Sequence, residues 1–151
     1  MKISAKDQAV KFLSAYDRSQ KELTDKLLKK GYSEEEVSEA IAFCKEYGYL
    51  NDERFAERFC HDALEIKKLG SARIKSELRR KGIDEETIAN LQFDEEDERE
   101  LLKNEIARRF KDADFTDKKV KNRVFGYFLR RGFKAGAIIR AMGDEDYDIF
   151  E

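Results

Sequence analysis

The side chains with the greatest chemical capacity in this 151-residue chain are Cys44, Cys60, the single His61 and three consecutive glutamates, Glu34, Glu35 and Glu36. A cysteine beside a histidine suggests a thiol and its base, or half of a zinc site. Neighbours in a helix point about 100° apart, so Cys60 and His61 cannot face each other as a dyad. Zinc would need two further soft ligands, and only Cys44 remains. The glutamates read as the first turn of a helix, where negative charge suits the helix dipole, and not as a convergent acid pair. No glycine-rich phosphate loop is present. The chain therefore reads as a non-enzyme without metal or cofactor, and its two thiols as ordinary buried cysteines.

The remaining chemistry is charge. The 31 basic and 33 acidic side chains nearly cancel, yet they are segregated along the sequence. Residues 118–140 carry eight cations and no acid: Lys118, Lys119, Lys121, Arg123, Arg130, Arg131, Lys134 and Arg140. Residues 67–81 carry seven cations, among them Arg73, Lys75, Arg79, Arg80 and Lys81, against Glu77 alone. Opposed to these stand six acids at 94–100 and five in the tail at 144–151, which reads as a solvated terminus. A basic run of this kind serves either as a solvated helix face or as a surface for phosphates or acidic protein.

These residues must be positioned by helices. Ala, Glu, Leu, Lys and Arg supply about half of the chain, and proline is absent. Nearly balanced charge with clear apolar periodicity argues against disorder. No apolar run approaches the roughly 18 to 20 residues of a membrane span, and the first residues lack the apolar core of a secretion signal, so a soluble, cytoplasmic protein is expected.

One segment occurs three times: Leu27-Leu28-Lys29-Lys30-Gly31-Tyr32, Leu78-Arg79-Arg80-Lys81-Gly82-Ile83 and Phe128-Leu129-Arg130-Arg131-Gly132-Phe133. Aligned on the glycines, Leu23, Ile74 and Val124 share a column, as do Val37, Ile88 and Ile138. Each glycine is expected to end a helix in the left-handed conformation, with a hydrophobic contact just beyond. Ser33 with Glu36 reads as a capping box and Asp84 as a cap, whereas Lys134 puts a cation where a cap is wanted. Upstream apolar stripes (Ala9, Phe12, Leu13, Tyr16; Phe55, Phe59, Cys60, Ala63; Leu101, Leu102, Ile106, Phe110) add a third helix to each unit. The expected fold is all-α, with three tandem three-helix repeats at 1–50, 51–93 and 94–151. Units of this size bury little surface alone, so an elongated, curved helical array is anticipated.

A helical step of 100° sets Arg73 and Arg80, and equally Arg123 and Arg130, on the side away from Leu78 and Phe128. Glu22 and Lys29 fill those columns in the first repeat, which confines the basic line to repeats two and three. Phe128 and Phe133 occupy core columns. Tyr127 stays open as a residue that could stack on a base.

The stretches Leu50-Asn51-Asp52-Glu53-Arg54-Phe55-Ala56 and Gly70-Ser71-Ala72-Arg73-Ile74-Lys75-Ser76-Glu77-Leu78-Arg79-Arg80-Lys81-Gly82-Ile83 resemble the two signature stretches of the RecX family of recombinase regulators. Asn51 stands where that family's pattern has aspartate, and both residues cap helices. The third repeat matches more loosely. The resemblance implies a monomeric negative regulator of a RecA-type recombinase that binds the RecA–DNA filament and lowers its growth, ATP hydrolysis and strand exchange. The segregated charge, read beside that resemblance, directs attention to Arg73, Lys75, Arg79, Arg80, Lys81, Lys119, Arg123, Arg130, Arg131 and Lys134 as contacts to recombinase or DNA, single- or double-stranded. Two other readings stand beside it: a sequence-neutral helical DNA-binding module, and, because two helices joined by a glycine-containing turn recur three times, a helix-turn-helix transcription factor.

Overall fold

The computed structural model describes residues 2–143, and every regular element among them is a helix. In chain order these are α1 (Ala5–Ala15), α2 (Gln20–Lys29), α3 (Glu34–Glu46), α4 (Asp52–Glu65), α5 (Ser71–Arg80), α6 (Glu85–Ala89), α7 (Glu95–Arg109), α8 (Lys118–Arg130) and α9 (Ala135–Ala141). The three glycine-terminated segments are the ends of α2, α5 and α8. Gly31, Gly82 and Gly132 take φ of +97°, +81° and +99°, and each following residue returns its N–H to the last turn, as Tyr32 does to Leu27. That is the left-handed stop predicted from the repeat.

Helix starts follow the side chains available for capping. Ser19 with Glu22, and Ser33 with Glu36, form reciprocal capping boxes; Asp84, Asp94 and Asp117 accept from the backbone at the starts of α6, α7 and α8. Lys134 makes no such bond, so α9 begins without a side-chain cap. The third helices of the second and third repeats are short, five residues in α6 and seven in α9.

The apolar columns are buried in all three repeats. Leu23, Leu27, Ile74, Leu78, Val124 and Phe128 are fully buried, and Tyr32, Ile83 and Phe133 nearly so. Tyr16 departs from the expected stripe. α1 ends at Ala15, Tyr16 takes an extended backbone at φ −147°, and its ring is exposed.

The chain divides into two compact units. The first holds the residues up to Phe59 together with Leu78–Leu91; the second holds Cys60–Glu77 and the residues from Gln92 on, so both draw on α4 and α5. In the first, Ala5 and Ala9 of α1 pack against Leu23, Leu27, Val37, Ile41 and Cys44. The Tyr32 hydroxyl donates to the Ile3 carbonyl at 2.7 Å and ties the segment before α1 to the end of α2. In the second, Leu102, Ile106, Val124, Phe128, Phe133 and Ile138 form the core, with Phe110 and Phe133 meeting Phe128 edge-on at 5.8 and 5.9 Å. The acidic tail at 144–151 lies outside the described residues.

Candidate functional site

The basic residues singled out by the sequence fall into groups with different engagements. On α8, Lys119, Arg123 and Arg130 are exposed and follow one another at intervals of four and seven residues, which sets them in one row along the helix. Gly126 interrupts that row with bare backbone. The Arg130 guanidinium folds over this gap, so close that a Cβ built on Gly126 would lie 3.1 Å from its Nη1. The helix holds no acid between Lys118 and Arg130, and Asp117 is spent as its cap, accepting from the Lys119 N–H at 2.9 Å.

Arg73 and Arg131 belong to a backbone clasp. The Gly70 N–H donates to the Arg131 carbonyl at 2.8 Å, and the Ala72 N–H to the Gly132 carbonyl at 3.2 Å. Arg73 adds Nη1 to the Arg130 carbonyl at 2.9 Å and pairs through Nε with Glu77 at 3.0 Å. Arg131 donates Nη2 to the Lys67 carbonyl and lies over the Tyr127 ring. No side chain fits between these strands of backbone, since a Cβ on Gly70 would fall 2.3 Å from the Gly132 oxygen. Both arginines therefore fasten the start of α5 to the end of α8, and Arg73 remains exposed while doing so.

The same contact recurs one repeat earlier, inside the first unit. Ser19 stands in the column of Gly70, and its hydroxyl donates to the Lys81 carbonyl at 2.6 Å. Gln20 and Ser71 share the next column, and each gives its N–H to a carboxylate near the start of the following repeat's first helix: Asp52 at 2.8 Å and Glu98 at 2.7 Å. Sequence reasoning missed this device. Its trace was a small residue, Ser19 or Gly70, twelve places before each of the first two helix-ending glycines.

Lys81 is half-buried, bonded to Glu22 at 3.2 Å and set over the rings of Phe55 and Phe59. Partial burial pushes the Glu22 carboxyl up, but bonds from Ser19 and Lys81 outweigh it and hold the group below the usual carboxylate range. Arg79 grips both oxygens of Glu85 at 2.6 and 3.3 Å. Arg80 is exposed, and its carbonyl receives Lys21 Nζ at 3.3 Å. In the second unit, Lys75 is half-buried with Nζ 5.3 Å from the Phe93 ring, and the exposed Lys134 pairs with Glu95 at 3.2 Å.

Tyr127 is half-buried, wedged edge-on against Phe110 and Phe128 with the Arg109 and Arg131 guanidiniums each 5.6 Å from its ring. It packs rather than presenting a face for stacking. Cys44 and Cys60 are buried and unpaired with one another, and burial pushes both thiols up; His61 is exposed. Among the described residues no group of three His, Cys, Asp or Glu side chains is arranged to hold a metal ion, and no helix is long and apolar enough to cross a membrane.

Comparison with known proteins gives this arrangement a family. The family model described as RecX, first three-helix domain matches residues 5–44, and that described as RecX, second three-helix domain matches residues 51–90. The regulatory protein RecX of Vibrio vulnificus is 33% identical over 144 residues, covering 95% of this chain and 94% of the relative. That of Syntrophotalea carbinolica is 31% identical over 91% of this chain and 93% of its own. The crystal structure of RecX from Lactobacillus salivarius superposes with a TM-score of 0.76 at 24% identity, over 94% of each chain, and speaks for the fold. With family models over more than half of its length and relatives aligned almost end to end, the chain belongs to the RecX family of regulatory proteins.

Proposed function

We propose that this chain restrains a RecA-type recombinase by binding the recombinase–DNA filament through exposed cations of α5 and α8, and that it acts in the cytoplasm as a monomer without catalysing a reaction. The observation that carries the reading is the row Lys119, Arg123 and Arg130 on a helix that bears no acid. Arginine in that setting suits both phosphate and bidentate carboxylate contacts. Arg73 is an exposed addition to it within the second unit, and Arg80 is an exposed cation of the first; Lys75, Arg79, Lys81, Arg131 and Lys134 act through the local partners described above.

The geometry is unfavourable to a helix-turn-helix reader of base sequence. The helices that follow the glycine turns would have to enter the major groove. α3 and α6 open with glutamates, which would face phosphates of like charge, and α6 and α9 are only five and seven residues long. A sequence-neutral DNA-binding module would use the same cations but leave the recombinase untouched.

DNA-dependent ATP hydrolysis by the cognate recombinase, titrated with this chain, separates these readings. Loss of hydrolysis at less than one chain per recombinase subunit supports filament restraint. Loss only once the chain saturates the DNA means competition for DNA, and no loss at all removes the recombinase as partner.

A further inference from the structure

At the end of α3 three aromatic rings gather on the surface of the first unit. Phe43 lies 4.7 Å from Tyr47 and 6.3 Å from Tyr49, and the two tyrosines lie 6.5 Å apart. Tyr47 is 61% exposed and Tyr49 48%. Exposed apolar rings side by side are costly to leave in water, and such patches mark contact surfaces.

The turn that carries them is firmly built. Gly48 takes φ +75°, Tyr49 and Leu50 both donate to the Cys44 carbonyl, and Leu50 is buried beneath. Arg54 reaches back from α4 to the carbonyls of Gly48 at 3.1 Å and Tyr49 at 3.4 Å. The backbone that carries the rings is thus fixed before any partner arrives, which lowers the entropy lost on binding.

The surrounding charge selects the partner. α3 carries five glutamates against the single Lys45, and the Arg54 guanidinium at this turn is occupied by the Gly48 and Tyr49 carbonyls. Glu39, one turn before Phe43, and Glu46, beside Tyr47, are both exposed. Ring faces and carboxylates together attract cations and repel phosphates. A cation is already present on the cluster, since Lys6 Nζ sits 5.5 Å from the Phe43 centroid.

We propose that Phe43, Tyr47 and Tyr49, with Glu39 and Glu46, form a docking surface for an arginine-bearing segment of a partner protein. This surface is additional to the α8 row and goes beyond the function proposed above. Arginine fits better than lysine because its planar guanidinium stacks on a ring while its fork meets a carboxylate.

The test is an NMR titration of the full chain with an acetylated Gly–Arg–Gly–Arg–Gly amide, the same peptide with citrulline in place of arginine, and oligothymidylate. The arginine peptide should shift the ring resonances of Tyr47 and Tyr49, and the citrulline peptide should bind at least about fivefold more weakly, the loss of one cation–π contact. The double variant Tyr47→Ala/Tyr49→Ala should lose binding of the arginine peptide, read at the Phe43 ring and the Glu39 and Glu46 amides, with unchanged helicity, because both tyrosine rings are exposed. Lys6→Ala, which removes the resident cation, should tighten binding. Equal binding of the citrulline peptide, ring shifts caused by oligothymidylate instead, weaker binding by Lys6→Ala, or self-association of the chain through these rings would each overturn the proposal.

Discussion

The Gly70 N–H meets the Arg131 carbonyl at 2.8 Å, and neither Gly70 nor Gly132, the residue after Arg131, has room for a side chain at the contact. The equivalent contact in the preceding repeat is made by the hydroxyl of Ser19 on Lys81. One column thus serves the same junction by two chemistries: a serine that reaches across, and a glycine that lets the backbones touch.

The three helix-ending glycines should consequently differ in their tolerance of alanine, although their local sequences are alike. A Cβ on Gly31 meets only the mobile end of Lys2 at 3.3 Å, so its cost is the left-handed backbone alone, about 1 kcal/mol. On Gly132 it would lie 2.4 Å from the Arg73 backbone nitrogen and Cβ, which adds about 1–3 kcal/mol of overpacking. Gly82, facing Lys21 Cβ at 2.6 Å, should resemble Gly132. Urea melts of the three alanine variants check this, and equal losses at all three positions would refute the clasp as a close contact.

Arg73 and Arg123 occupy one column of the repeat but should respond differently to reversal of charge. Arg123→Glu should weaken recombinase inhibition with almost no change in melting, since an exposed charge contributes little to stability. Arg73→Glu should weaken inhibition and also lower stability by about 1 kcal/mol, because it loses the bond to the Arg130 carbonyl and faces Glu77. Thermal melts alongside inhibition assays distinguish the two; identical melting would show that the Arg73 contact is immaterial.

Acid should loosen the second unit through Glu105. Its carboxylate is buried, bonded to Arg108 at 2.9 and 3.1 Å and to Arg109 at 3.2 Å, and the Arg108 bonds chiefly hold it below the usual carboxylate range despite its burial. A carboxyl depressed in the folded state gives stability that is fully present above its unfolded pKa of about 4.3 and is lost as pH falls through the folded value. Glu105→Gln should cost about 1–2 kcal/mol at pH 7 and progressively less under acid. A pH-independent difference between wild type and variant would contradict this.

Asp52 has the opposite sign. Desolvation raises its carboxyl, outweighing the bond it accepts from the Gln20 N–H, so its charge opposes folding at neutral pH. Asp52→Asn retains an oxygen for that N–H and should leave stability at pH 7 unchanged or slightly higher. A clear drop would mean that the carboxylate charge supports the junction.

Much of the fold was legible because helix period, capping side chains and left-handed glycines are local. Ser33 with Glu36, and the columns led by Leu23 and Leu27, needed no knowledge of distant residues. The engagement of the cations was not local. Lys81 and Arg79 sit in basic runs, and periodicity cannot reveal that Glu22, fifty-nine residues away, holds one of them while Glu85 holds the other. Tyr16 was misplaced for a related reason, since the apolar stripe of α1 continues in sequence past the point where the backbone turns extended. The aromatic group at Phe43, Tyr47 and Tyr49 escaped notice because its rings meet only once the turn at Gly48 has folded.

The most direct test of the account reverses the α8 row as a set. The triple variant Lys119→Glu/Arg123→Glu/Arg130→Glu should melt nearly as wild type does, and should lose inhibition of DNA-dependent ATP hydrolysis by the cognate recombinase. If phosphates are the target, the logarithm of affinity should fall steeply with the logarithm of salt for wild type, with each lost cation flattening the slope by about one. A triple variant that remains folded and inhibits as strongly as wild type would contradict the central claim.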